Sequence, residues 1–219
     1  MSCTLLTFTY RSVYKIGMND LATKDLSTKE KILETALSLF STKGYEGCGV
    51  SEIAEKSGFS KPTLYYFFTN KEGLYKAVWQ ENFSPFLNQL ERDAAYVPNP
   101  NDYFNDVYPC LCRVVRTFFS FAQENKPFFF HAISAFTSPD TVSTSQINKD
   151  YFRQLCTLLK NMFDQMGNAH GGIKGREFQL AVTFLGLISS YITCWNILGD
   201  ELNEQTVNSL VKQFMHGIF

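Results

Sequence analysis

The side chains best placed to recognise another molecule lie between residues 50 and 71. Apolar and small residues recur at i, i+3, i+4 and i+7 over residues 50–57, which predicts a short helix with one buried face. These residues are Val50, Ile53, Ala54 and Ser57. Gly58 can end this helix in the left-handed conformation, Ser60 can cap the next helix, and Pro62 suits its first turn. The pattern predicts two short helices joined by a tight turn.

The second of these helices is predicted to bury Leu64 and Phe68 and to leave polar side chains on its other faces. The outward side chains are Lys61, Thr63, Tyr65 and Tyr66. This is the layout of a helix-turn-helix, whose second helix enters a DNA major groove. An ordinary helical hairpin is the alternative, but its exposed face would carry Glu, Lys and Gln rather than two consecutive tyrosines.

The helices that must position this unit are predicted on either side of it. The Ser27 and Glu30 pair forms a capping box at the start of a first helix, and Gly44 ends that helix. A long helix starts at Asn70 and joins the head to the rest of the chain. The segment 97–102 (VPNPND) breaks it.

The remaining sequence is predicted to be entirely helical. Helical patterns cover 102–125, 127–137, 145–167, 174–199 and 203–218, with Pro109 bending or splitting the first of them. We therefore predict an all-α fold with a three-helix head joined by a long helix to a body that binds a ligand and dimerises. The predicted domains are a flexible arm (1–26), the head (27–80) and the body (81–219). Whether residues 1–17 precede a native start at Met18 stays open.

Composition narrows the functional class. A chain of 219 residues with 45% hydrophobic residues is a folded protein, and no uninterrupted apolar run approaches the 20 residues of a membrane span. Residues 181–197 are predicted to form a buried helix. We find no secretory signal and expect a cytoplasmic protein with no membrane partner. The six cysteines are predicted to be free thiols, with a thiol sensor as the alternative.

No pattern of an enzyme is evident. The histidines His131, His170 and His216 are far apart in sequence, and no nucleophile–base spacing or glycine-rich phosphate loop occurs. We predict no catalytic residues, no metal and no cofactor. Residues 27–80 carry seven lysines and six glutamates, a net charge of +1. Such a head must bind DNA through a few placed contacts and through two copies acting together.

Residues 28–80 resemble the TetR family of bacterial transcriptional regulators, and SKPTLYYFFTNKE (60–72) is specific for its recognition helix and the turn that follows. The resemblance rests on Ile32, Ala36, Phe40, Gly44, Tyr45, Ile53, Ala54, Gly58, Phe59, Ser60, Lys61, Leu64, Tyr65, Tyr66, Phe68, Lys71, Glu72 and Leu74. It implies a homodimer that binds a palindromic DNA operator, most often as a repressor, and a small-molecule pocket in each body that controls DNA affinity.

The resemblance also implies roles for individual residues. Lys61, Pro62 and Thr63 should approach base edges, Tyr65 and Tyr66 should donate to phosphates, and Lys71 should hold a phosphate at a helix N-terminus. Three positions depart from the family pattern. Cys48 and Gly49 stand where a hydroxyl usually caps the helix, Ser51 stands where Arg is frequent, and Phe67 replaces His or Tyr. Ser51 is kept among the predicted DNA contacts.

The body is unusually aromatic, which predicts a pocket for a small hydrophobic effector. We predict an uncharged apolar or aromatic molecule, or a lipophilic cation. The predicted effector contacts are Phe118, Phe121, Phe129, His131, Tyr151, Tyr191 and Trp195. Core packing is the alternative for His131.

The last two predicted helices should form the homodimer surface as a four-helix bundle, with burial inside one chain as the alternative. The first stripe comprises Phe178, Val182, Leu185, Ser189 and Ile192, with Gly186 beside it, and the second comprises Val207, Leu210, Val211, Phe214 and Ile218. The alternative function is a helical protein-interaction module whose helix-turn-helix has lost specific DNA binding.

Overall fold

A computed structural model describes residues 25–99, 102–139 and 143–217. Within those ranges the chain is helical and contains no strand, which confirms the all-α prediction. The helices are α1 (25–43, with residue 25 the first one described), α2 (Val50–Ser57), α3 (Lys61–Phe68), α4 (Lys71–Asp93), α5 (Tyr103–Glu124), α6 (Lys126–Phe136), α7 (Ser145–His170), α8 (Glu177–Leu198) and α9 (Glu204–His216).

The chain divides into two compact units between Val78 and Trp79, inside α4. We name the described residues up to Val78 the head and those from Trp79 onward the body. The boundary predicted from sequence, after residue 80, lies two residues further along the same helix.

The predicted start of the first helix at Ser27 is wrong. Asp25 and Leu26 are already helical, so Ser27 lies inside α1 and cannot be its N-cap. A Ser followed three residues later by Glu forms a capping box only where the backbone leaves the helix, and here it does not. Residues 1–24, which make up most of the predicted arm, lie outside the described residues.

The head is built around a small apolar core and an aromatic cluster. Side chains that are at most 1% exposed come from each of its helices: Ile32, Ala36, Phe40, Ile53, Leu64, Leu74 and Tyr75. Gly44 ends α1 with φ +71°, a conformation that favours glycine. Tyr45, the next residue, packs on Phe40 at 5.7 Å and on Tyr75 at 5.0 Å between ring centroids. These contacts hold the segment between α1 and α2.

Proline does not break the body helices. Pro109 lies inside the continuous α5, so the predicted split there is wrong, and α4 likewise runs through Pro85. Each proline removes one backbone hydrogen bond. The burial of Val107, Leu111 and Val114 on α5 offsets that loss, because ending the helix would expose these side chains.

The core of the body surrounds Trp79, which is fully buried. Tyr151 stacks on the indole at 4.7 Å with an interplanar angle of 11°, and Phe83 and Phe128 meet it edge-on at 5.4 and 5.2 Å. Aromatic pairs at these separations add stability beyond the area they bury. This cluster joins α4, α6 and α7.

The apolar stripe of α9 is used within the chain, so its predicted role as half of a dimer surface is wrong. Val207, Leu210 and Val211 are at most 2% exposed, and Phe214 packs on Phe184 at 4.7 Å. A stripe already buried against α5, α7 and α8 has no free face to offer a second copy. Ile218, the last member of the predicted stripe, lies outside the described residues.

Helix α8 has a free apolar face, contrary to the prediction of a buried helix. It is the one helix among the described residues that is long and apolar enough to cross a membrane by length and composition, and 22% of its most apolar window is buried. Phe178 and Val182 are 60% and 44% exposed, whereas Ala181, Phe184 and Ile188 face the core. The stripe predicted for this helix mixes its two faces, since Phe178 and Val182 are exposed whereas Ile192 is fully buried.

Candidate nucleic-acid interface and effector chamber

The turn between α2 and α3 has the predicted geometry. Gly58 ends α2 in the left-handed conformation, and its N–H donates to the carbonyl of Glu55. The hydroxyl oxygen of Ser60 then caps α3 by accepting from the backbone N–H of Thr63 at 3.2 Å. Leu64 and Phe68 are buried, as predicted. The two helices are therefore fixed by their own caps and by a shared core.

The outer face of α3 presents the side chains that the sequence placed there. Lys61 and Pro62 are exposed, and Tyr65 and Tyr66 are 45% and 76% exposed, so core packing does not account for either tyrosine. The hydroxyl of Thr63 shares a 2.8 Å hydrogen bond with that of Ser60 and is already used in the cap. A cation, two phenols and a proline ring thus remain on one exposed surface.

Lys71 is held in place by an aromatic ring. Its Nζ lies 4.0 Å from the ring centroid of Tyr45, a cation–π contact that restricts the ammonium group. Asn70 caps α4 by accepting from the N–H of Gly73 at 2.7 Å. Tyr45 is among the residues that carry the family resemblance. Its contact with Lys71 could not be found from sequence because 26 positions separate the two residues.

Two other lysines of the head share a single carboxylate, which offsets one of their two charges. Lys43 and Lys56 both pair with Oε1 of Glu52, at 2.6 and 3.0 Å, and the hydrogen bonds from the two ammonium groups hold the pKa of that carboxyl below its ordinary value. Within the described residues Lys61 makes no ion pair. The positive charge available to DNA on this face therefore belongs mainly to Lys61 and Lys71.

The departures before α2 have a structural consequence. Gly49 caps α2 without any side-chain hydrogen bond, and Ser51, in the first turn, is exposed. Cys48 is buried, and burial raises the pKa of its thiol. Burial likewise raises the thiol pKa of Cys112 and Cys156, and of Cys110 to about 11. A protonated, buried thiol is a poor redox sensor, which counts against that alternative at these four positions.

The body contains an apolar chamber of about 300 Å³. Its walls come from α4, α5, α6, α7 and α8, and it is lined by Phe83, Phe86, Phe118, Phe121, Phe129, Ala132, Ile133, Phe136, Thr137, Phe152, Leu155, Val182, Leu185, Gly186 and Ser189. Thr137 and Ser189 are the polar residues of this wall, and the hydroxyl of Thr137 donates to the backbone carbonyl of Ile133. The chamber is suited to an apolar or aromatic ligand.

The structure brings three of the seven predicted effector contacts to this chamber: Phe118, Phe121 and Phe129. The other four lie elsewhere. His131 and Tyr151 pack on Trp79 in the core, the hydroxyl of Tyr191 donates to Gln213, and the ammonium of Lys126 lies 4.9 Å from the ring centroid of Trp195. Sequence could not rank the aromatic residues, because the same spacing serves a core and a cavity wall.

A buried polar cluster in the body was not predicted. Oδ2 of Asp106 accepts from the Tyr96 hydroxyl at 2.6 Å, the Asn99 N–H at 2.6 Å and Nε2 of His170 at 2.8 Å. Burial by itself would raise the pKa of Asp106, but these hydrogen bonds outweigh it and hold the pKa below its ordinary value. The cluster ties the segment after α4 to α5 and α7. In the described part of the chain, no group of three metal-ligating side chains is present.

Comparison with known proteins identifies the head. Residues 32–78 match the sequence model of a family described as "Bacterial regulatory proteins, tetR family". The negative transcriptional regulator of the icaADBC biofilm operon, IcaR from Staphylococcus epidermidis, is 37% identical over 65 residues, which cover 30% of this chain and 35% of that protein. The transcriptional repressor ComR from Escherichia coli is 44% identical over 63 residues, or 29% of this chain and 30% of that protein. Residues 32–78 therefore form a helix-turn-helix head of the TetR type.

The chain spans only 35% and 30% of the length of those two relatives. The body is related by fold. The transcriptional regulator FadR from Bacillus subtilis, solved in complex with stearoyl-CoA, superposes with a TM-score of 0.67 over 87% of this chain and 99% of its own, at 19% identity. The arrangement of helices is thus TetR-like.

Proposed function

We propose that this protein is a homodimeric transcriptional regulator, acting as a repressor, that binds a palindromic operator and is released by a small hydrophobic or aromatic molecule. The observation that carries the proposal is α3, a capped helix with two buried anchors and an exposed face of Lys61, Tyr65 and Tyr66. A surface with this chemistry matches what major-groove binding requires.

The proposed contacts on DNA fall into two kinds. Lys61 donates to guanine O6 and N7, and Pro62 or the Thr63 methyl group contacts a thymine methyl. Tyr65, Tyr66 and Lys71 bind phosphates, and the exposed Ser51 adds a hydroxyl from α2. Lys71 lies in the first turn of α4, where free N–H groups and the helix dipole already favour an anion. Its contact with Tyr45 limits the positions that the ammonium can take.

The proposed effector site is the apolar chamber of the body. The FadR complex with stearoyl-CoA supports a ligand with an apolar portion, since that protein shares the fold. Phe118, Phe121 and Phe129 remain the proposed contacts, together with Phe86 and Phe136 of the same wall. Because its hydroxyl groups are few, the chamber favours an uncharged ligand held by burial of apolar surface.

The proposed homodimer uses the exposed apolar face of α8, including Phe178 and Val182. A closed dimer related by a twofold axis presents two copies of α3, which bind half-sites about 34 Å apart or a multiple of that spacing. This spacing matches a palindromic operator.

Fluorescence anisotropy of labelled duplexes that tile the upstream region of the gene tests the proposal. We expect saturable binding to one palindrome, with two chains per site, in the presence of excess nonspecific DNA. Lys61→Ala is the matched variant that should lose preference for this palindrome. Weak binding that ignores sequence and falls steeply with salt would instead favour a protein-interaction module with a degenerate head.

A further inference from the structure

We infer that a second copy of the chain completes the effector chamber by laying its α8 over the mouth, so that ligand binding and dimerisation strengthen each other. The inference rests on the proposed function and goes further, since it makes the site incomplete in a single chain.

The mouth of the chamber lies on the free face of α8. Val182, Leu185, Gly186 and Ser189 line the chamber, and Val182 is 44% exposed while Gly186 is open to solvent. Phe152 of α7, which also lines the chamber, is 37% exposed. Small-molecule sites bury about 70–90% of a ligand's surface. A chamber with such an open apolar rim leaves part of its ligand in water until something covers it.

The chemistry of α8 favours a second copy as the cover. From Phe178 to Leu198 the helix carries no charged residue. In a twofold interface each patch meets its own copy, so a charge near the axis would face a like charge. An uncharged apolar face avoids that repulsion, and it buries apolar surface on both copies.

Gly186 provides an independent indication of a close approach. A Cβ built at this position meets no atom within 4 Å, so packing inside the chain does not require glycine there. Glycine inside a helix costs about 1 kcal/mol relative to alanine. Close approach of another backbone is one of the situations that favour glycine. We place the crossing of the two α8 helices at Gly186, beside the mouth of the chamber.

Completion of the site by the partner has a thermodynamic consequence. If the ligand binds more tightly to the dimer than to the single chain, it must tighten dimerisation by the same factor. An apolar effector would then change the dimer equilibrium as well as occupy the body.

The test compares full-length wild-type protein with Phe178→Lys and with Val97→Lys as a matched control. Phe178 lies on the free face of α8 without lining the chamber, and Val97 is an exposed apolar residue outside α8. The probe is N-phenyl-1-naphthylamine, an uncharged aromatic fluorophore, and oligomeric state is measured by sedimentation equilibrium. Circular dichroism checks that each variant keeps its helices.

We expect wild type and Val97→Lys to be dimers that bind one probe per chain, and Phe178→Lys to be a monomer with at least about tenfold weaker probe binding. Wild type diluted below its dimer dissociation constant should lose probe affinity to the same extent. The dilution series needs no variant, so it tests the inference even if Phe178→Lys misfolds.

Equal probe affinity of monomer and dimer would overturn the inference, and so would a Phe178→Lys protein that remains a dimer. A wild-type monomer that binds phosphatidylcholine vesicles would show that lipid covers α8. Operator binding is measured on the same samples. If probe affinity does not depend on dimerisation but the protein still binds its operator, only this inference is rejected. If probe affinity does depend on dimerisation but no operator is bound, the proposed regulator is rejected.

Discussion

The head and the body use aromatic side chains in opposite ways. Tyr65 and Tyr66 of the head are 45% and 76% exposed on a helix of eight residues, whereas Trp79 of the body is fully buried among phenylalanines and Tyr151. In the head the phenol hydroxyls stay available to a polar partner. In the body the rings supply packing, and a ligand can occupy only the space that they leave.

This contrast explains why the DNA-binding face of α3 is easier to locate from sequence than the chamber of the body. Helix α3 needs only Leu64 and Phe68 for its own packing, so its remaining positions are free for recognition. The body uses the same residue type for its core and for the chamber wall. Phe86, for example, stacks on Phe121 at 4.3 Å, and both rings line the cavity. Function is therefore separated from packing on α3 and combined with it in the body.

The largest effect is expected from a pair of substitutions that remove an aromatic side chain. We expect Trp79→Ala to lower the free energy of unfolding of the body by about 3–5 kcal/mol, because it leaves a cavity in the aromatic cluster. Tyr66→Ala, on the exposed face of α3, should change stability by less than about 0.5 kcal/mol and weaken DNA binding. Urea unfolding and operator titration measure both effects. Similar destabilisation by the two variants would contradict the distinction.

A second test concerns the buried carboxylate of the body. Asp106→Ala should destabilise the body by about 3 kcal/mol, because Tyr96, Asn99 and His170 lose their common acceptor. Glu52→Gln in the exposed ion pairs of the head should change stability little. Thermal unfolding at neutral pH compares the two. A larger effect of Glu52→Gln would reverse the expected order.

The same carboxylate predicts a pH dependence. The pKa of Asp106 in the folded body lies below its ordinary value of 3.8. The ionised carboxylate therefore contributes its full stabilisation of the fold above pH 3.8, and this stabilisation is lost as the pH falls through the folded pKa. Wild type should lose stability relative to Asp106→Asn as pH is lowered below about 4, measured by urea midpoints over a pH series. A difference in urea midpoint between wild type and Asp106→Asn that stays constant down to about pH 2 would contradict a lowered pKa of Asp106.

Within the head, substitutions of Lys61 and of Lys71 should change DNA binding in different ways. Lys61→Ala should cost about 1–3 kcal/mol on the preferred duplex and relax preference at one base pair. Lys71→Ala should weaken all duplexes about equally and lower the slope of log affinity against log salt by about 1. Anisotropy titrations at several salt concentrations separate the two effects. Equal loss of sequence preference in both variants would remove the division of roles.

The smallest expected effect concerns the cap of α2. Gly49 has extended backbone angles, with φ −92° and ψ 145°, and a Cβ there meets no atom within 4 Å. Gly49→Ser should therefore supply a capping hydroxyl and stabilise the head by a few tenths of a kcal/mol. Gly58→Ser, where φ is +78°, is the contrasting variant and should destabilise. A thermal melt of both variants decides whether the cap geometry has this effect.

The errors of sequence interpretation share a physical origin. The Ser27 cap, the split at Pro109, the free stripe of α9 and the buried α8 were each inferred from local pattern. The first three were wrong because a neighbouring segment decided the outcome: helix continuing before Ser27, burial of α5, and the packing of Phe214 on Phe184. The fourth was wrong because only one side of α8, with Phe184 and Ile188, faces the core. Periodicity identifies a helix and its apolar faces, but it cannot say which face meets the same chain.

The all-α class and the helix-turn-helix could be predicted from the residues alone. The same holds for the end of α2 at Gly58, the Ser60 cap and the outward face of α3. These depend on interactions among residues a few positions apart, which spacing and residue type specify. Three features became known only from the packing of the helices: which phenylalanines line the chamber, the contact of Lys71 with Tyr45, and the hydrogen bond between His170 and Asp106. The last two contacts join residues 26 and 64 positions apart, and the chamber wall combines five helices, so all three depend on how whole helices pack.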